Sequence, residues 1–151
     1  MEILRSVLQQ LPEFQQLLAA LDSGQSPAAV SGLAAVHRAH FAACLGQESG
    51  RPVVVVCADE GEAERMARDL SFLTGGEVPV LAARSFLFHN IATVSRQWEH
   101  RRLRLLYRLT RGEVPCLVAT VEALLQRTLP PEALERAALT GGIRWRSWPG
   151  G

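Results

Sequence analysis

Apolar residues recur at helical spacing from the first residues of the chain. Ile3, Leu4, Val7, Leu8 and Leu11 follow a period near 3.6, and Pro12 opens a second run carrying Phe14, Leu17, Leu18 and Leu21. Asp22-Ser23-Gly24-Gln25-Ser26-Pro27 breaks the pattern, so residues 1–22 are expected to form a helical N-terminal arm. Beyond this linker the period changes repeatedly. Ala28–Ser31 is a short candidate strand, Gly32 a turn, and Ala34–Leu45 a helix closed by Gly46. Val53–Cys57 is an unalternating β-branched run of the kind buried on both faces of a parallel sheet. Asp59 or Glu60 caps the next helix, on which Ala63, Met66, Ala67 and Leu70 share a face, and Gly75-Gly76 stops it.

The alternation continues downstream. Val78–Ala82 reads as a strand, with Pro79 pointing to its start or to an edge. A loop over 84–94 leads to a helix from Ser95 to Arg111, ended by Gly112. Cys116–Ala119 is a further buried strand and Val121–Arg127 a short helix before Pro130-Pro131. Strands and helices in this order predict an α/β fold, a parallel sheet with helices on both faces, spanning residues 23–130. Residues 131–151 are a linker and the start of a following domain: Glu132–Ala138 reads as helix, and Ile143–Trp148 alternates as a strand with nothing to pair against. A lone strand carrying Trp145 and Trp148 does not bury itself, so the chain reads as cut from a longer protein.

Composition narrows the class. At 151 residues, 48% hydrophobic and 21% charged, the chain has the balance of an ordinary globular protein. It has no apolar run long enough to cross a bilayer and no charge-then-apolar leader, which together with three unpaired-looking cysteines predicts a cytoplasmic protein. Cys57 and Cys116 lie in strand-like runs and read as buried filler. The net charge of +1 hides an asymmetry. Residues 1–75 carry five arginines against nine acids, residues 76–151 eleven against six, and lysine is absent throughout.

That absence bears on the one loop with chemical meaning. A phosphate-binding loop reads G-x-x-x-x-G-K-[ST]: backbone amides cradle phosphates, lysine reaches the β and γ phosphates, and the hydroxyl ligates magnesium. The corresponding stretch here is Gly32-Leu33-Ala34-Ala35-Val36-His37-Arg38-Ala39. Gly32 stands at the first glycine, His37 at the second, Arg38 at the lysine and Ala39 at the hydroxyl. A side chain at His37 obstructs close phosphate approach and Ala39 offers a metal nothing, while Arg38 retains charge for an anion. By itself the stretch also reads as an ordinary turn into an ordinary helix.

Val30-Ser31-Gly32-Leu33 into a helix, Val53–Asp59 into a helix, Ser85-Phe86-Leu87-Phe88-His89 before an arginine-rich helix, and Leu117-Val118-Ala119-Thr120-Val121-Glu122-Ala123-Leu124-Leu125 together resemble the N-terminal region of the bacterial transcription-repair coupling factors over about residues 1–135. The first domains of that family are similar to the excision-repair subunit UvrB, whose corresponding loop is intact. The resemblance implies a degenerate, non-catalytic UvrB-like domain that needs no cofactor, in a parent whose ATP- and magnesium-using motor lies downstream. It implies that the parent is an ATP-driven DNA translocase that displaces stalled RNA polymerase and recruits UvrA. The UvrA-binding surface is implied to belong to the following domain, which would begin near Ile143.

Other constellations have plainer readings. Val53–Glu60 has the shape of an ATPase acidic motif, yet carboxylates that open a helix are explained by capping and the helix dipole. Arg101, Arg104, Arg108 and Arg111 form a stripe on the long helix, with Trp98, Leu103, Leu106 and Leu109 on its apolar side. The stripe suits a phosphate backbone, an acidic protein surface including the first half of this chain, or solvent. Phe86–His89 reads as packing over the sheet more than as a base-stacking platform. His37 and His40 lack a third ligand, so no metal is expected. Two alternatives stand beside the scaffold: a helicase-type ATPase domain binding nucleotide through Arg38, and a nucleic-acid-binding module using the arginine helix. DNA binding by this domain alone is expected to be weak or absent.

Overall fold

A computed structural model describes residues 2–83 and 91–140. The chain runs α1 (Glu2–Gln9), α2 (Pro12–Asp22), α3 (Ala35–Ser49), β1 (Val53–Cys57), α4 (Glu60–Thr74), β2 (Val80–Leu81), α5 (Ile91–Thr110), β3 (Cys116–Thr120), α6 (Val121–Leu125) and α7 (Pro131–Thr140). The three strands form one parallel sheet in the order β1-β3-β2, with Val53 opposite Cys116 and Val80 opposite Val118. The α/β expectation with a parallel sheet therefore stands.

β3 shows why both faces need cover. Val118 joins a cluster with Ala39 and Ala43 of α3 and Ala63, Met66, Ala67 and Leu70 of α4. Its neighbours Leu117 and Ala119 point the other way and pack with Leu81, Leu105, Val114 and Ala123. Helices thus lie on both faces, α3 and α4 on one and α5 on the other. Small residues on α3 let it sit close against α4, and Gly46 continues this: a Cβ there would lie 2.7 Å from Val53 Cγ2. Gly46 is therefore an interior glycine at a close helix–strand approach. The helix does not end there as its sequence suggests, but runs to Ser49, where Gly50 takes a left-handed cap at φ 63°.

The arm expectation gains a contact surface. α1 and α2 pack against α3, with Phe14 buried edge-on to Phe41 at 5.6 Å. Arg51 closes the other end, donating to Leu21 O and to Asp22 Oδ1, each at 3.3 Å.

Other elements also differ from the sequence reading. The strand expected at Ala28–Ser31 is not formed. Its two alanines bring little apolar area, and Val30, its one β-branched residue, is 47% exposed with no strand beside it. The strand expected over Val78–Ala82 shortens to two paired residues, because Pro79 lacks an N–H for the ladder and offers only its carbonyl, to Val118 N. α5 begins at Ile91, four residues before the expected start, and α6 ends at Leu125, two before the expected end. The Phe86–His89 segment and the Ile143–Trp148 strand with its two tryptophans lie outside the described residues.

Candidate functional site

In parallel α/β sheets, ligands are held at the carboxyl ends of the strands. At that end of β1 the chain turns at Ala58-Asp59 into α4. Asp59 Oδ1 accepts the N–H of Glu62 at 2.8 Å, and Glu62 Oε2 accepts the N–H of Ala58 at 3.1 Å. This is a variant of the capping box in which Glu62 reaches back to the N–H of the residue before the N-cap Asp59. Of the two carboxylates of the motif-like strand end, Asp59 is thereby engaged in starting the helix, with Glu62 rather than Glu60 as its partner, and Glu60 lies in the first turn of α4, in keeping with the capping reading.

Arg38, where a phosphate loop has its lysine, projects from the first turns of α3 toward the same corner, 3.7 Å from Glu62 Oε1. Both side chains are partly exposed, so the pair contributes little to stability. Its consequence is electrostatic: the one cation in the loop faces a carboxylate. Ala39 is buried among the packed residues of α3 and α4. A residue that faces the core does not reach a metal at the loop. His37 is exposed and its N–H closes the first turn on Ala34 O. Gly32 does adopt a left-handed conformation, φ 83°, but in open space and with no strand before it. Gly32, His37, Arg38 and Ala39 are thus a loop and a helix start without the strand that holds a phosphate loop against its sheet. The residues do not fit ATP and magnesium: lysine, hydroxyl and second glycine are all missing.

The arginine helix divides into three parts. Arg108 and Arg111 both turn to Glu113, at 4.0 and 3.0 Å, and Arg111 lies over the Tyr107 ring. The Glu113 hydrogen bond raises the Arg111 pKa further. Arg101 and Arg104 are exposed and no hydrogen bond or ion pair among the described residues engages them. Arg102, outside the stripe read from the sequence, is the structural one. It donates to Ala82 O at 3.1 Å and Ala123 O at 2.9 Å, so its fork ties the end of β2 to α6 while its plane lies over Trp98. Burial lowers its pKa, as desolvation does for a cation. Leu105, not among the apolar positions read from the sequence, is the buried leucine of α5. Its helical phase, three residues after Arg102 and four before Leu109, was the available signal.

Neither Cys57 nor Cys116 is prepared for chemistry. Burial pushes the Cys57 thiol up, with the Glu62 and Asp59 carboxylates acting in the same sense. Burial also raises Cys116, against a lowering hydrogen bond from the Leu117 backbone. Cys44 Sγ lies 3.4 Å from His40 Nε2 on α3. Among the described residues no three His, Cys, Asp or Glu side chains come together to hold a metal, and no helix is long and apolar enough to cross a membrane. A cleft of about 770 Å³ lies between Gly46, Val53, Gly76, Gly112 and Cys116. It opens at the amino ends of the strands, opposite the corner that holds Arg38.

Two known proteins resemble the chain. Over 132 residues, 87% of this chain, it is 27% identical to the transcription-repair-coupling factor of Bacillus subtilis (strain 168). Over 125 residues, 78% of the chain, it is 33% identical to the transcription-repair-coupling factor of Myxococcus xanthus. The chain spans only 11% and 10% of the length of these relatives. No family model and no solved structure matches it.

Proposed function

Because the chain is related to the N-terminal region of the transcription-repair coupling factors, we propose that it is a non-catalytic, UvrB-like scaffold domain of a transcription-coupled repair protein. In this reading the degenerate loop is an inherited frame from which nucleotide chemistry has been lost. The domain acts in the cytoplasm through contacts with the rest of its parent. The parent is an ATP-driven DNA translocase that engages RNA polymerase and UvrA through surfaces beyond this domain, and its ATP and magnesium belong to separate motor domains.

The observation that carries the non-catalytic part is the pairing of Arg38 with Glu62 beside a buried Ala39. Phosphoryl transfer is catalysed mainly by positioning and by charge placed around the phosphates. A guanidinium facing a carboxylate is a poor substitute for a compact ammonium reaching between β and γ oxygens. Calorimetry with ATP and magnesium tests this directly. No binding is expected at ligand concentrations that would reveal a dissociation constant of about 10 μM, roughly −7 kcal/mol. Binding that tight, abolished by Arg38→Ala, would instead support the nucleotide-binding alternative. Restoring a working loop requires His37→Gly, Arg38→Lys and Ala39→Thr together, and binding is expected to return before turnover.

A second reading rests on Arg101 and Arg104, which are exposed on the α5 stripe and form no ion pair among the described residues. They suit an acidic protein surface or a phosphate backbone, and the salt dependence of DNA binding separates the two.

A further inference from the structure

Among the described residues β1 is an edge strand, and no strand pairs with its outer side. Val53 donates its N–H to Pro115 O at 2.9 Å on the β3 side. Backbone groups of successive strand residues point to alternate sides, so Val53, Val55 and Cys57 serve β3 while Val54 and Val56 turn their N–H and C=O groups outward. The same two residues are 52% and 51% exposed. They share a sheet face with Leu117 and Ala119, which α5 covers over β3 and β2 but not over β1. From Pro52 to Ala58 there is no charged side chain, the usual device by which edge strands are kept apart. Two residues thus combine free backbone groups with uncovered apolar side chains.

We propose that this edge pairs antiparallel with the same edge of a second copy, about a two-fold axis through Val55. A two-fold interface must match a surface to itself, and this strand does so in one register. With Val55 opposite itself, Val54 faces Val56 of the second copy and Val56 faces its Val54. All four outward-turned residues then fall in hydrogen-bonded positions. Their four side chains stack on the uncovered face. The register also places Arg51 opposite Asp59 of the second copy at each end of the pairing, so both ends bring opposite charges together. Centring on Val54 instead opposes Val56 to Pro52, which has no N–H, and centring on Val56 moves Arg51 away from Asp59. A shift by one residue sets outward groups against inward ones. Charge complementarity and the proline therefore choose the same axis. Three strands per copy become a continuous sheet of six. This inference does not rest on the repair-protein reading.

Sedimentation of the chain up to about 200 μM should show a concentration-dependent dimer. Val54→Lys with Val56→Lys, at exposed positions, should leave the circular dichroism unchanged and weaken the dimer at least about tenfold. Asp59→Asn keeps the helix cap and removes the charge, and should weaken the dimer more mildly. Register is read by mixing Val54→Cys and Val56→Cys variants: the mixture should yield more disulfide-linked dimer than either alone. A chain monomeric throughout that range, a dimer indifferent to the lysine pair, or a monomer whose Val54 and Val56 amides resist hydrogen exchange because its own residues cover the edge would each overturn the proposal.

Discussion

Gly46 illustrates how one hydrogen atom can set a packing distance. Its missing side chain admits Val53 Cγ2 to 2.7 Å of where a Cβ would stand. Gly46→Ala gains helix propensity but forces α3 away from β1, and overpacking of this kind costs about 1–3 kcal/mol. A fall in the urea midpoint is expected; an unchanged or higher midpoint would show that Val53 yields freely. Cys57 supplies a second test. Its raised thiol pKa means that the folded chain holds the proton more tightly than the unfolded chain. Stability from this group is therefore complete below the ordinary thiol range and is lost as pH rises through it. Denaturation midpoints between about pH 7.5 and 9.5 should decline, and Cys57→Ala should decline less steeply over the same interval.

At the scale of elements, α5 is a helix with two duties. Its arginine stripe is visible in sequence, but Arg102 inside the same run is spent on carbonyls of Ala82 and Ala123. Arg102→Leu leaves two acceptors without their donor and should cost about 1–3 kcal/mol. Arg102→Lys, which lacks the fork, should fall between, and Arg101→Gln should stay within about 0.5 kcal/mol. Equal effects at 101 and 102 in thermal unfolding would contradict the division of labour. The stripe was legible because period 3.6 groups Arg101, Arg104, Arg108 and Arg111 whatever surrounds them. Which arginine is tied down was not, because the carbonyls that Arg102 engages come from elements about twenty residues away in either direction.

For the molecule as a whole, charge decides how it meets nucleic acid. Glu113 draws off Arg108 and Arg111, leaving two unengaged arginines on the stripe of a chain with net charge +1. Two phosphate contacts correspond to a salt slope of only about −1.8, so duplex DNA binding should be weak, without sequence preference, and negligible near 150 mM salt. Fluorescence anisotropy across a salt series checks this. Submicromolar binding at physiological salt, lost on Arg101→Ala, Arg104→Ala and Arg108→Ala together, would favour the nucleic-acid-binding alternative.

Much of the architecture followed from local order. β1 and β3 are dense in β-branched and apolar residues, α4 carries its own cap and stop signals, and a strand–helix alternation of this length requires a parallel sheet. The chemical deficit of the loop was equally legible, because the absence of lysine and of a hydroxyl at position 39 is a matter of composition. The tertiary structure decided what depends on distant partners. The stretch Ala28–Ser31 has strand-like residues but no strand beside it; Gly46 looks like a helix stop and is instead a point of contact with Val53. Arg38 faces Glu62, Ala39 turns into the core, and the outer edge of β1 is left without a paired strand among the described residues. Periodicity records which side of an element is apolar; only the folded chain determines what that side meets.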